Sequence, residues 1–273
     1  MKQAIGTVIA EYRKKAGITQ KALADKLHIS FQTVSKWEQQ LSQPDADTLV
    51  QLAQIFQTSV DAMLGYDAVS PTEYDEKYRS DNYYWGIVPN RMCYDIMQLM
   101  PPIKPYRVLD IGCGEGKDAV FLAKNGYRVS AFDASENGLE KARLLAQQNN
   151  ASVHFFKADI QTIKLQETYD IIYSSGVFHY LSAMYRTEFV RMLQRHTSPC
   201  GLHAVNVFVQ KPFLSPAPDL EPTELQADPW HSGELARYYA DWYFHKCEET
   251  IFDCQSGGIP HKHCMNTVIA QMK

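Results

Sequence analysis

The run VLDIGCGEGKD, residues 108–118, limits the fold more than any other stretch of the chain. A short apolar segment leads into Gly112, Gly114 and Gly116, and the helix-compatible stretch KDAVFLAKNG follows. Glycine tolerates positive φ and lets another group approach the backbone closely. The helix start beyond such a turn offers unpaired N–H groups. Strand, glycine turn and helix in this order form a nucleotide-binding device; a plain tight turn in an α/β protein is the other reading. The surrounding sequence supports an α/β unit. Strand-like runs RVLDIG, RVSAFD, VHFFKADI, YDIIYSSG and LHAVNVFV alternate with helical stretches such as ENGLEKARLLAQQN. That alternation predicts a mostly parallel sheet covered on both faces. The tail TVIAQMK reads as a closing strand.

Three acids narrow the ligand. Asp110 precedes the glycines, and a carboxylate there repels a pyrophosphate but attracts a sulfonium or an ammonium. Asp133 ends the next strand, 23 residues on, where it can accept both ribose hydroxyls. Asp159 ends the strand after that, placed for an adenine amino group. The crevice therefore suits S-adenosylmethionine better than NAD.

Residues 1–66 read differently, as consecutive short helices. Thr19 and Ser30 are positioned as N-caps. TQKALADKLHISFQTVSKWEQQ (19–40) has the form of two helices joined by a tight turn, in which the second enters the major groove of DNA. Val34 and Trp37 pack inward, leaving Gln32, Thr33, Ser35 and Lys36 outside with Ser30 at the helix start. Gln can read adenine, Thr a thymine methyl, and Lys guanine or phosphate. Gln20 is placed for a phosphate oxygen. Residues 1–40 carry seven Lys/Arg against three acids, whereas the whole chain is −4, so a basic face is confined to this segment.

No apolar run long enough for a membrane span and no leader segment is evident, and six scattered cysteines fit no disulfide framework. The expected location is the cytoplasm. Residues 67–90, rich in turn residues and aromatics, read as a linker grading into a lid. Tyr78, Tyr83, Tyr84 and Trp85 are candidates to flank a sulfonium; packing against the sheet edge is the alternative. The domain plan is therefore a head over 1–66, a linker or lid over 67–90, and an α/β domain over 91–273.

The head resembles the lambda-repressor-like, Cro/C1-type helix-turn-helix family over about 5–65. The resemblance implies five helices, double-stranded DNA as partner and a homodimer. The segment 108–142 is similar to motif I and its continuation in class I methyltransferases. This implies a Rossmann-like domain with a mostly parallel seven-stranded sheet and S-adenosyl-L-methionine as cofactor. By that resemblance Asp110, Gly112, Gly114 and Gly116 hold the methionine end, and Asp133 with Ala134 the ribose. Ala158, Asp159 and Ile160 hold the adenine, and Ser174, Ser175 and Val177 lie near the transferred methyl. Cys200 departs from the family's usual Pro-Gly-Gly.

GELARYYADW (233–242) is similar to a segment of tellurite-resistance methyltransferases, through Gly233, Glu234, Leu235, Tyr238, Tyr239 and Trp242. The resemblance implies a small-molecule methyl acceptor such as tellurite or selenite. The family's His-Arg pair has no clear counterpart. His261 and His263, which share a face if extended, and Arg237 are the candidate catalytic residues; a solvated edge strand is the alternative for the histidines. His179 is a further pocket candidate. Cys254, His261, His263 and Cys264 include metal-ligand types, but without C-x2-C spacing no metal is expected. Cys247, Cys254 and Cys264 could hold a trivalent arsenic acceptor. The Pro-rich stretch 211–230 is expected to shape the acceptor site. Two other functions fit the same residues: a repressor whose methyltransferase-like domain only senses a ligand, and a small-molecule O- or N-methyltransferase of other specificity.

Overall fold

The structure, a computed structural model, describes residues 5–56, 58, 60–64, 73–214, 229–254 and 260–273. The expected linker residues 67–72 and the Pro-rich residues 215–228 lie outside the described residues. The chain divides into two compact units, Met1–Ser70 and Pro71–Lys273.

The first unit is helical: α1 (Ile5–Lys15), α2 (Gln20–Leu27), α3 (Phe31–Glu38), α4 (Ala46–Phe56) and α5 (Val60–Met63). Thr19 caps α2, its side chain accepting from Ala22 N at 3.1 Å. Ser30 caps α3 by accepting from Thr33 N at 3.2 Å. Val8, Ile9, Leu23, Leu27, Val34, Trp37, Leu52 and Met63 are buried together as its core. Arg13 ties α1 to α3 through a two-pronged contact with Glu38, at 2.6 and 2.9 Å.

The second unit begins with α6 (Glu73–Lys77) and α7 (Arg91–Leu99). Then follow β1 (Arg107–Ile111), α8 (Lys117–Lys124), β2 (Arg128–Asp133), α9 (Glu136–Gln148), β3 (Val153–Lys157) and β4 (Tyr169–Ser175). The chain closes with α10 (Ala183–Arg195), β5 (Thr197–Phe208), α11 (Glu234–Arg237), β6 (Tyr243–Cys254) and β7 (His261–Gln271). The seven-stranded sheet has the order β3-β2-β1-β4-β5-β7-β6. β1 to β5 run parallel, and β7 is antiparallel to both its neighbours. Alternating residues of β1 serve two cores: Leu109 and Ile111 pack with α10, Val108 with α7 and α8. Strand order reverses between β1 and β4, so a crevice opens beyond their carboxyl ends.

Two differences from the sequence reading concern the last strands. β6 was not expected as a strand, because nearly all its residues are exposed and it carries no apolar alternation. β7 starts at His261, six residues before the apolar run at Thr267. The ladder between them carries one irregularity: Phe244 opposes Ala270 and Lys246 opposes Ile269, so His245 is an extra residue. The expected lid also differs in form. Residues 73–90 contain a short helix and belong to the second unit rather than to a linker.

Candidate active site

The glycine turn joins β1 to α8. Gly112, Gly114 and Gly116 have φ of +70°, +51° and +83°, a region side chains rarely occupy. What approaches them differs. A Cβ on Gly114 would lie 2.8 Å from the Tyr78 hydroxyl, so the aromatic segment lies directly over the turn. A Cβ on Gly116 would lie 2.6 Å from Ala142 of α9, so its bare face serves helix packing. On that face the close neighbour of Gly116 is protein.

Asp110 is buried at the end of β1, and its Oδ2 has no hydrogen-bond partner among the described residues. Burial pushes its carboxyl well above the usual range, and the charges of Asp118 and Asp133 push the same way. A buried carboxylate without a partner is costly, and a positive group in the crevice would satisfy it. Asp133 is held from two sides, accepting from Gly114 N at 2.7 Å and Ser135 N at 2.8 Å. Burial raises its pKa and these N–H bonds oppose the rise. A carboxylate has about four lone-pair directions, and with Ala134 N–H as a third backbone donor one remains for a hydroxyl. Ala134 follows it, half-buried. Ala158 N donates to Asp133 O at 3.1 Å, which sets Ala158, Asp159 and Ile160 beside the Asp133 end. Asp159 turns back on its own loop, accepting from Gln161 N at 2.8 Å.

The segment 73–90 is fastened over the turn by several bonds. Ser135 Oγ donates to Asp75 at 2.6 Å, and Trp85 N donates to Glu115 at 3.3 Å. Glu115 also pairs with Lys141, whose ammonium lies 5.0 Å from the Tyr83 ring centroid. Tyr78 is buried, receives a 3.2 Å bond from Trp85 Nε1, and has its phenol pKa raised by burial and then by Asp133. Tyr74 joins Tyr78, Tyr84, Trp85 and Tyr180 in one ring cluster. Tyr74 carried no signal in the sequence reading, which named only the rings after it.

The crevice side formed by β4 and β5 departs further from expectation. Ser174 is fully buried and donates to Ile111 O at 3.1 Å, so its hydroxyl ties β4 to β1 and does not line the crevice. Ser175 accepts from Asn90 Nδ2 at 3.1 Å and Asn206 Nδ2 at 3.4 Å. Asn206 also accepts from Gly176 N at 2.6 Å. Sequence reasoning missed both asparagines; the one signal was a polar residue inside the apolar run AVNVF. Val177 packs on Gly112, where a Cβ would meet its side chain at 2.4 Å. His179 has an Nδ1 without a partner among the described residues, and burial lowers its pKa to about 3, aided by His263.

Arg237 is exposed. The buried cation is Arg186, 2% exposed, which donates to Glu234 at 2.8 Å and to Leu181 O at 3.1 Å. Its guanidinium lies 4.3 Å from the Trp230 ring centroid. Arg186 rather than Arg237 is thus the arginine built into this side, and Glu234 neutralises it. Tyr239 and Trp242 are core residues around His203, whose imidazole bonds the Tyr239 hydroxyl at 3.0 Å. The Nε2 atoms of His261 and His263 are 2.8 Å apart, and Cys254 adjoins them. The lack of C-x2-C spacing hid this cluster, because pairing across a hairpin brings the residues together. Cys264 is buried in the core instead, and Cys247 is exposed.

In the helical unit, Gln32 and Lys36 are exposed on α3 as expected. Gln20 is instead engaged, donating to Glu38 at 3.0 Å. Ser30 and Thr33 bond one another at 2.9 Å, and Ser35 lies 3.1 Å from the Gln39 amide that donates to it. Phe31, 51% exposed at the start of α3, was not singled out from the sequence.

Among the described residues no helix is long and apolar enough to cross a membrane. A helix-turn-helix family model matches residues 9–63. The "Probable S-adenosyl-L-methionine-dependent methyltransferase TehB" of Haemophilus influenzae (strain 10810) is 29% identical over 157 residues, 58% of this chain and 53% of that protein. "Hemagglutinin 1" of Eikenella corrodens is 31% identical over 156 residues, 57% of this chain and 50% of that one. The chain thus spans about half the length of the curated relatives it matches. The crystal structure of TehB from Haemophilus influenzae superposes with a TM-score of 0.60 at 25% identity, over 73% of this chain and 66% of that one. A structure described for the conversion of a disulfide bond into a thioacetal group in echinomycin biosynthesis gives 0.54 at 19% identity, covering 73% of this chain and 90% of the other, and shares the fold. The family model described as "Tellurite resistance protein TehB" matches residues 74–258, more than half of the 273 residues, and the chain belongs to that family.

Proposed function

We propose that the second unit is an S-adenosylmethionine-dependent methyltransferase acting on a small acceptor, and that the helical unit binds double-stranded DNA. The observation that carries the enzyme reading is Asp110, a buried carboxylate with an unpartnered oxygen beside the glycine turn. The residues present fit a cationic nucleoside. Asp110 would take its positive amino-acid end, Asp133 a ribose hydroxyl, and Ala158, Asp159 and Ile160 its base. The cofactor supplies a methyl group on a positively charged sulfur. The remaining requirements fall to the chain, and they are alignment and exclusion of water more than strong base catalysis. The ring cluster around Tyr74 and Tyr78 covers the turn. Ser175, fixed by Asn90 and Asn206, sets the end of β4. His179 stays neutral near pH 7, so it offers the acceptor a lone pair without adding charge.

Tellurite and selenite are the proposed acceptors, on the strength of the family match. Turnover of labelled cofactor with tellurite, selenite, thiols and amines tests this. Methylated chalcogen products are expected. Turnover only with thiols or amines would replace the acceptor, and tight cofactor binding with no turnover would favour a ligand-sensing regulator. For the helical unit, the exposed Gln32 and Lys36 on a capped second helix support the DNA reading. A footprint on the DNA upstream of the protein's own gene tests it; no protection at low salt would remove it.

A further inference from the structure

The β6–β7 hairpin assembles three donor side chains. Cys254 ends β6 and lies opposite His261, the first residue of β7. Opposed residues on an antiparallel ladder share a face, with Cβ atoms about 5 Å apart. His263, two residues on, returns to that face. One ligand atom from each of Cys254, His261 and His263 lies within 4.8 Å of the other two, and all three residues are half-buried. The two imidazoles point Nε2 to Nε2 at 2.8 Å.

One thiolate with two imidazoles is a donor set of borderline softness. In a tetrahedral zinc site the two nitrogens stand about 3.3 Å apart and each nitrogen about 3.6 Å from the sulfur. The imidazoles therefore need to part by about half an ångström, and the Cys254 sulfur, within 4.8 Å of both, to close by up to about 1.2 Å, to hold the ion. The surroundings favour a cation there. The Phe208 and Phe252 rings flank His263 at 4.7 and 5.9 Å between centroids. Lys262 occupies the alternating position, on the other face of the strand, where it pairs with Asp253 at 2.6 Å. The Phe208 ring also lies 5.0 Å from His179, so the cluster is one ring away from the end of β4.

We propose that Cys254, His261 and His263 bind one zinc ion, with the fourth position left to water or to a small thiol or oxyanion. Three protein ligands with one exchangeable position is the make-up of reactive zinc sites, whereas structural ones close with four. This assignment stands whether or not the second unit transfers methyl groups.

The test uses the full chain, tag removed and stripped with chelator, without cofactor. Cobalt(II) titration is expected to saturate at one equivalent with a thiolate-to-metal charge-transfer band, and zinc to displace it. Cys254→Ser should remove that band, and His263→Ala should weaken zinc binding by more than about tenfold, while Cys247→Ser changes neither. A second measurement needs no variant: zinc alone should protect Cys254, and not Cys247, from alkylation in a peptide map. The absence of a saturable equivalent, binding indifferent to Cys254→Ser, or alkylation of Cys254 unaffected by zinc each overturns the proposal. Cofactor binding by the same stripped protein is measured separately, so failure of the metal site and failure of the methyltransferase reading remain distinguishable.

Discussion

The two sides of the crevice are built on different principles. On the β1–β2–β3 side, each acid sits at the end of a successive strand, a few residues from the turn it serves. On the β4–β5–β7 side, residues as far apart as Asn90, Arg186, Asn206 and Glu234 are held by part-buried polar pairs. The first side leaves the Asp110 carboxyl without a partner; the second leaves His179 Nδ1 and Asn266 Oδ1 so among the described residues, but ties Ser175, Arg186, Asn206 and Glu234 into pairs. The lesson is that substitutions on the first side should cost binding, and substitutions on the second should cost stability.

The largest effect expected is at Arg186. Arg186→Met leaves the half-buried Glu234 without its cation, removes a buried guanidinium from Trp230, and should destabilise the second unit by about 3 kcal/mol in urea unfolding. Adding Glu234→Gln should recover much of that loss. A single variant as stable as the parent would break the contrast. Asp110→Asn should act in the opposite sense. It should weaken cofactor binding by about a hundredfold, or about 2.7 kcal/mol by calorimetry, while the ligand-free protein gains stability because a group that burial and the charges of Asp118 and Asp133 disfavour as an anion is gone. Loss of both properties would make Asp110 a member of the second class.

The third effect is on pH dependence. Burial holds His203 at about 3 in the folded protein. The unfolded chain binds that proton first, near pH 6.5, so the stability is present above 6.5 and is lost as pH falls toward 3. The slope is about 1.4 kcal/mol per pH unit for one such group, so about 2 kcal/mol should go between pH 6.5 and 5. His203→Gln should remove about half of the slope that it and His179, also held at about 3, give together in urea titrations at the two pH values; an unchanged slope would exclude His203 as a source. The smallest effect lies in the helical unit, outside both sides. Ser30→Ala removes the cap of α3 and should cost about 1 kcal/mol in thermal unfolding. A loss several times larger would mean that Ser30 does more there than cap.

This contrast also explains what the sequence disclosed. The places of Asp110, Asp133 and Asp159 at or just beyond successive strand ends were readable because strand order follows hydrophobic alternation. Thr19 and Ser30 were readable because capping is local. Arg186 and Glu234 are 48 residues apart, and no periodicity joins them. Ser174 misled because a hydroxyl at a strand end looks the same whether it faces a ligand or a neighbouring carbonyl. Gly116 is ambiguous in the same way, since a bare backbone admits Ala142 as readily as a cofactor. β6 escaped because an exposed edge strand has no apolar face to betray it.

The surplus residue at His245 has a consequence reaching nine positions along the strand. Every rung from Lys246 to Cys254 takes its phase from that single insertion. Were the bulge ironed out, with His245 drawn into the ladder opposite Ile269, every later rung would slip by one, Asp253 would stand across from His261, and the thiol would turn to the opposite side of the sheet. A defect near one end of the hairpin thus sets the chemistry at the other.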